Sequence, residues 1–214
     1  MDTDYLKLML VTNRQTDDLG SYLAFIEQCL IGGVTSVQLR EKSPRSEQLL
    51  ADAGQLKLLL DRYQIPLIIN DNVDLAIELD AAGVHLGQSD GCPETARARL
   101  GQDKIIGLSL ESEEDLLTSN QLPVSYTAAS AVFATASKSN LRKLWGLAGL
   151  RELAERCRHP VIAIGGIDLT NAADVAAAGA AGIAVIGALH QADDPAVAAS
   201  RLCRSFEGGA HAYR

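Results

Sequence analysis

No stretch of this chain reaches about eighteen consecutive apolar residues, so no membrane-spanning helix is expected. The opening Met1-Asp2-Thr3-Asp4 is acidic and lacks an apolar run, which predicts no signal peptide and a cytoplasmic protein. Cysteine is scarce and scattered. Cys29, Cys92, Cys157 and Cys203 form no CxxC pair and have no His at metal-ligand spacing, so they read as reduced core thiols. Positive charge is also short: 19 Lys and Arg against 27 Asp and Glu give a net charge of −8. That balance disfavours nucleic acid or an anionic membrane as partner. Any anion site must therefore come from local placement of a few cations and backbone amides. The chain also lacks a GxGxxG fingerprint, which argues against a dinucleotide-binding doubly wound sheet.

Short aliphatic runs alternate with longer amphipathic stretches from end to end. The pattern predicts strands over 6–13, 36–41, 67–71, 83–87, 104–109, 125–133, 161–167 and 182–189. Helices are predicted over 19–31, 46–63, 73–79, 93–100, 112–120, 146–157, 170–178 and 195–206. Asp194 before Pro195 reads as an N-cap with proline in the first helical position, and Thr170 followed by Asp174 reads as an imperfect capping box. Eight strand–helix units without a linker, in 214 residues, predict one α/β domain over 1–214, a closed (β/α)8 TIM barrel. An open doubly wound sheet is the runner-up. In a barrel the site lies on the loops that follow strand C-termini.

The strand ends carry polar residues where a strand covered on both faces should be aliphatic. Gln38, Arg40 and Lys42 share one side of Ser36-Val37-Gln38-Leu39-Arg40-Glu41-Lys42, while Val37 and Leu39 share the other. Arg40 and Lys42 suit a diphosphate clamp, Arg as a bidentate fork and Lys as a point charge; the alternative is a surface ion pair with Glu41. Ile69 runs into Asn70-Asp71, and Leu86-Gly87 into Gln88-Ser89-Asp90. Asp71 and Asp90 either hold Mg²⁺ against substrate phosphate or cap the helices that follow. Arg14, after the first strand, is a further candidate cation at the mouth. The long loop from Phe133 to Asn140 is rich in hydroxyls and carries Lys138, which fits either a binding lid or a plain connector. Gly165-Gly166 and Gly187 follow the seventh and eighth strands, where glycine lets backbone amides approach an anion. His85 has no spaced partner and reads as a satisfied core histidine; His159, His190 and His211 fall in turns or the tail.

With those residues assembled, the chain resembles the thiamine phosphate synthase family along almost its whole length. The resemblance rests on Val11-Thr12-Asn13-Arg14, Gly32-Gly33-Val34, Gln38-Leu39-Arg40-Glu41-Lys42, Ile69-Asn70-Asp71 and Val73-Asp74-Leu75-Ala76. It continues through Gly83-Val84-His85-Leu86-Gly87-Gln88 with Asp90, Ile106-Gly107-Leu108-Ser109, the Thr135–Lys138 loop, Trp145-Gly146-Leu147 and Ala163-Ile164-Gly165-Gly166-Ile167. The resemblance implies a (β/α)8 barrel that joins an aminopyrimidine methyl diphosphate to a thiazole ethyl phosphate, or its carboxylated form, and releases diphosphate with Mg²⁺. It implies that Gln38, Arg40, Glu41, Lys42 and Asn70 hold the pyrimidine diphosphate, with Ser109 and Lys138 completing that pocket. Asp71 and Asp90 would be the metal ligands. Thr135, Ala136, Ser137, Gly166, Ile186 and Gly187 would receive the thiazole phosphate. Lys138, Ser109 and Arg40 would act on the leaving diphosphate.

Such a reaction needs charge stabilisation and a placed acceptor rather than a nucleophile, in keeping with the lack of a Cys–His or Ser–His pair. Small phosphorylated molecules are then the partners, and the pattern carries no signature of a particular oligomer. The chain departs from the family pattern in four places. Ala134-Thr135-Ala136-Ser137-Lys138 stands where Pro-Thr-Pro-Thr-Lys is usual, and Ala128-Ala129-Ser130-Ala131 where Gly-x-Gly-Pro is usual. Gly187 replaces a serine and Asn72 a common arginine. Two competing readings on the same barrel are a thiazole tautomerase and a non-catalytic thiazole phosphate binder. The full set of diphosphate and carboxylate residues argues against both.

Overall fold

The computed structural model describes residues 3–14, 16–41, 46–136 and 142–212. Eight parallel strands close into a barrel in sequence order: β1 (Leu8–Val11), β2 (Ser36–Arg40), β3 (Leu67–Asn70), β4 (Gly83–Leu86), β5 (Ile105–Leu110), β6 (Tyr126–Ser130), β7 (Val161–Ile164) and β8 (Gly182–Val185). The last strand returns to the first, with Met9 opposite Ala184. Around them lie α1 (Leu19–Ile31), α2 (Glu47–Arg62), α3 (Val73–Glu78), α4 (Pro93–Leu100), α5 (Glu113–Ser119), α6 (Gly146–Arg156), α7 (Ala172–Ala177), α8 (Gly187–His190) and α9 (Pro195–Ala212). A 3-10 turn, Asp4–Leu6, precedes β1. This is the (β/α)8 TIM barrel that the alternating pattern predicts. Among the described residues no helix is long and apolar enough to cross a membrane.

Alternation along each strand divides the core in two. Leu8, Leu10, Val37, Leu39, Leu67, Ile69, Ile183 and Val185 point outward and pack under the helices. Met9, Val11, Ile68, Tyr126, Ala128, Ile162 and Ala184 point inward and fill the barrel. Gln38 is buried among the inward residues, beside Met9. The polar side of β2 is therefore the lumen side, and the aliphatic side is the helix side.

Caps set most helix starts. Asp18, Ser46, Asn72 and Ser112 each accept a backbone N–H from the first turn of α1, α2, α3 and α5. Asp194 does the same for α9 through Val197 N at 2.9 Å. Thr170 does not cap. It donates to Asp168, and α7 begins only after Asn171. Three strands stop well short of their expected ends, and the seventh ends at Ile164, before Gly165 and Gly166. β6 ends at Ser130, and β8 ends at Val185, where the chain turns at Ile186 into the helical turn of α8. An aliphatic run reads alike as strand end or buried helical turn, which explains the overrun at β8; after β6 the buried Ala131 and Val132 lie in a turn instead. All four cysteines are free. Only Cys29 is a core thiol, whose pKa burial pushes up to about 12, while Cys92 is exposed.

Candidate active site

The strand C-termini open into one cavity of about 800 Å³. Its β1–β4 side is made by residues held through local backbone chemistry. Thr12, just past β1, accepts Arg40 N at 2.8 Å through its hydroxyl and donates to Arg40 O, which fixes the end of β2. Register then places Arg40 opposite Asn70, and Asn70 opposite His85. Asn70 Nδ2 donates to Gln38 Oε1 at 2.8 Å, so two amides from adjacent strands orient each other. Gln38, Arg40, Asn70 and Ser109 all face the cavity. His85 is buried, with Nδ1 2.9 Å from the Tyr126 hydroxyl and Nε2 2.9 Å from Ser109 Oγ. It is a satisfied histidine, as its sequence setting implies, but it reaches the cavity wall and makes with Ser109 a Ser–His pair that spacing in the sequence does not reveal.

Asp90 sits on that wall, in the turn after β4, where its Oδ2 accepts Gly87 N at 2.8 Å. Asp71 lies beside it at the rim. Desolvation of the Asp71 carboxyl, the charge of Asp90 and a hydrogen bond with Asp90 raise its pKa, while Arg40 opposes the shift. Neither aspartate is a helix cap: Asn72 caps α3 through Leu75 N at 2.9 Å, and Cys92 occupies the N-cap of α4. Removing the cap reading leaves two carboxylates pressed together beside a cation.

Across the cavity, the ends of β7 and β8 supply Gly165, Gly166, Ile186 and Gly187. Gly166 has φ +64, and a Cβ there would lie 2.6 Å from Ala134 O. Glycine is thus required for this turn to meet the sixth loop, whose Thr135 and Ala136 also line the cavity. Ser137, Lys138 and Lys42 lie outside the described residues.

Two expected residues go elsewhere. Arg14 bonds Asp52 at 2.5 Å and the carbonyls of Thr16 and Asp17, so it ties the first loop to α2 rather than facing the mouth. Glu41 lines a small separate crevice with Arg14 and Asp52, because period two turns it to the side opposite Arg40. Sequence reasoning passed over Glu111 and Arg142, which line the cavity with a 3.6 Å contact between them. Glu111 follows β5 directly, so the same strand-end rule would have found it.

A family model described as thiamine monophosphate synthase matches residues 8–189. The thiamine-phosphate synthase of Chlamydia caviae is 48% identical over 209 residues, 98% of this chain and 99% of that one. That of Vibrio parahaemolyticus is 42% identical over 196 residues, 92% of this chain and 96% of that one. This chain belongs to the thiamine monophosphate synthase family. Among solved structures of the family, a thiamine phosphate pyrophosphorylase from Pyrococcus furiosus superposes with a TM-score of 0.87 at 33% identity, covering 97% of this chain and 98% of that one. The family barrel is also shared more widely: a 3-hexulose-6-phosphate synthase matches with a TM-score of 0.70 at 20% identity, a likeness of fold alone.

Mg²⁺ is the metal that the family resemblance implies, and the residues fit it. Asp71 and Asp90 offer hard oxygen donors in contact with each other, where a divalent cation would relieve the repulsion that adds to desolvation in raising the Asp71 pKa. Among the described residues no group of three His, Cys, Asp or Glu forms a metal cage.

Proposed function

We propose that this synthase, a transferase, joins an aminopyrimidine methyl diphosphate to a thiazole ethyl phosphate within the 800 Å³ cavity, giving thiamine phosphate and diphosphate. The observation that carries the reading is the division of one cavity into two anion-binding sides. Arg40, Gln38 and Asn70 stand with Asp90 on one side, and the glycine turns at Gly166 and Gly187 on the other. The first side suits a diphosphate and the second a monophosphate whose oxygens meet backbone amides.

In this reading Arg40, Lys42, Ser109 and Lys138 bind and stabilise the diphosphate oxygens as the methylene C–O bond breaks and its electron pair leaves with them. The bound pyrimidine carries the positive charge that results. The thiazole nitrogen, held in line by its phosphate among Thr135, Ser137, Gly166, Ile186 and Gly187, then gives its lone pair to form the new C–N bond. Asp71 and Asp90 would hold Mg²⁺, which supplies charge neutralisation at the leaving diphosphate. No side chain needs to become a nucleophile, and the catalytic contribution is placement and electrostatics. Small phosphorylated substrates without a membrane segment fit a cytoplasmic setting. The deciding assay follows thiamine phosphate formation from the two substrates, with and without Mg²⁺. The expected result is product that depends on both substrates and on the metal; no product under any metal condition would overturn the reading.

A further inference from the structure

A continuous hydrogen-bonded path of buried groups runs beneath the diphosphate side of the cavity. It begins at Asn70 Nδ2, which donates to Gln38 Oε1. The Gln38 side chain faces the Tyr126 hydroxyl and holds its pKa down against burial, as a donor to the phenol oxygen does. Tyr126 lies 2.9 Å from His85 Nδ1, and His85 Nε2 lies 2.9 Å from Ser109 Oγ. Tyr126 is wholly buried; Gln38, His85 and Ser109 are 3%, 6% and 8% exposed. Groups this dry orient by their neighbours rather than by water, so each link constrains the next.

The direction of the path follows from donor and acceptor counts. Gln38 lowers the Tyr126 pKa, the effect of a donor, so its amide nitrogen, whose other hydrogen reaches Met9 Sδ at 3.4 Å, is the group aimed at the Tyr126 oxygen. The Tyr126 hydrogen then goes to His85 Nδ1. A neutral imidazole that accepts at one nitrogen carries its proton on the other. Nε2–H therefore donates to Ser109 Oγ, and the Ser109 hydrogen is left to point into the cavity that Ser109 lines.

The backbone makes room for this path at its middle link. Gly107 stands in register with both His85 and Tyr126. A Cβ on Gly107 would lie 2.4 Å from the Tyr126 hydroxyl and 2.5 Å from His85 Nδ1. The residue that any side chain would bring into conflict with the link is the one that has no side chain.

We propose that His85 is a positioning residue: Tyr126 holds it as the Nε2–H tautomer, and it makes the Ser109 hydroxyl a hydrogen-bond donor to an anionic oxygen in the cavity. The anion is identified as the leaving diphosphate only through the function proposed above; the tautomer stands without it.

Nitrogen-15 NMR of histidine-labelled protein tests the path directly, with the His85 signal assigned by its loss in His85→Gln. The wild-type protein should show His85 unprotonated at Nδ1 and protonated at Nε2. Tyr126→Phe keeps the ring and removes the hydroxyl. It should shift His85 toward the Nδ1–H form and lower kcat about 10- to 100-fold, with little change in KM for the pyrimidine diphosphate. That is the scale seen when an outer partner fixing a histidine tautomer is lost. A proton on Nδ1 in the wild type, or an unchanged kcat in Tyr126→Phe, would overturn the proposal. Should wild-type protein make no thiamine phosphate, the functional reading fails while the wild-type spectrum still decides the tautomer.

Discussion

Asp71 and Asp90 press two carboxyls together at the cavity edge, and that contact is the property a mutation can isolate. Asp71→Asn or Asp90→Asn keeps shape and hydrogen-bonding capacity but removes one charge facing the cation. Turnover is expected to fall about 10²–10³-fold at ordinary Mg²⁺ while the thermal midpoint holds, the scale for losing one preorganised charge-stabilising group. Near-native steady-state turnover in both variants would show that the pair does not hold the metal. Gly187 poses the opposite test, since it is a place where a group can be added. A Cβ there meets only the Gln191 side chain at 3.7 Å, an ordinary contact. Gly187→Ser should lower KM for the thiazole phosphate about three- to tenfold, within the range for one ordinary hydrogen bond. An unchanged or higher KM would place that phosphate elsewhere. Gln38 and Arg40 were legible in the sequence because polar groups at period two on a strand end have no reason to exist in an aliphatic barrel, and Asp90 because it follows a strand end. Arg14 and Glu41 were less legible, because strand position tells where a residue starts but not which neighbour takes its side chain. Asp52, on α2, is what draws Arg14 away.

At the scale of elements, α8 and the segment after β1 are joined by a histidine that no sequence motif marks. His190 Nε2 accepts Asn13 N at 3.1 Å, and its Nδ1 faces Ile186 O at 2.9 Å. The pair of contacts requires a neutral ring with the proton on Nδ1, and the ring packs 4.8 Å from Phe25. Burial pushes its pKa down, against a smaller opposing effect from the Ile186 carbonyl. The sign follows from linkage: the unfolded chain takes up a proton near pH 6.5 that the folded chain resists, so stability is full above that pH and is lost as pH falls below it. Thermal melts between about pH 7 and pH 5 should show a shallower decline for His190→Gln than for the wild type. His159, whose pKa burial also lowers, titrates in both proteins and so cancels from the difference. Parallel declines would mean that the ring does not gate this tie. Helix starts were legible wherever a side chain caps them, as at Ser46, Ser112 and Asp194. The α8 turn was not, because the segment from Gly182 to Leu189 is uniformly small and aliphatic, and nothing in it marks Ile186 as the point where the chain turns.

For the whole molecule, closure of the barrel makes the first and last units neighbours, and α9 sits where they meet, packed against α1, α7 and α8. Eight repeating units predict that closure from sequence, but the sequence alone does not show whether residues 1–214 unfold as one unit. Two adjacent glycines near the end of α9 supply the probe. A Cβ on Gly208 meets nothing within 4 Å, whereas one on Gly209 would lie 2.1 Å from Ala173 O in α7. Helix propensity alone favours alanine over glycine by up to about 1 kcal/mol at either site. Gly208→Ala should therefore raise the thermal midpoint slightly. Gly209→Ala should lower it, because overpacking against backbone costs about 1–3 kcal/mol, or roughly 2–12 °C for a chain of this size. The single tryptophan, Trp145, lies buried at the start of α6, bonded to Leu110 O at 3.1 Å, and reports on the sixth unit rather than on α9. If the chain is one cooperative unit, Trp145 fluorescence and far-ultraviolet circular dichroism should move together, and in opposite directions for the two variants. A Gly209→Ala transition seen by circular dichroism but not by Trp145 would divide the chain into separately melting parts and overturn the single-domain reading.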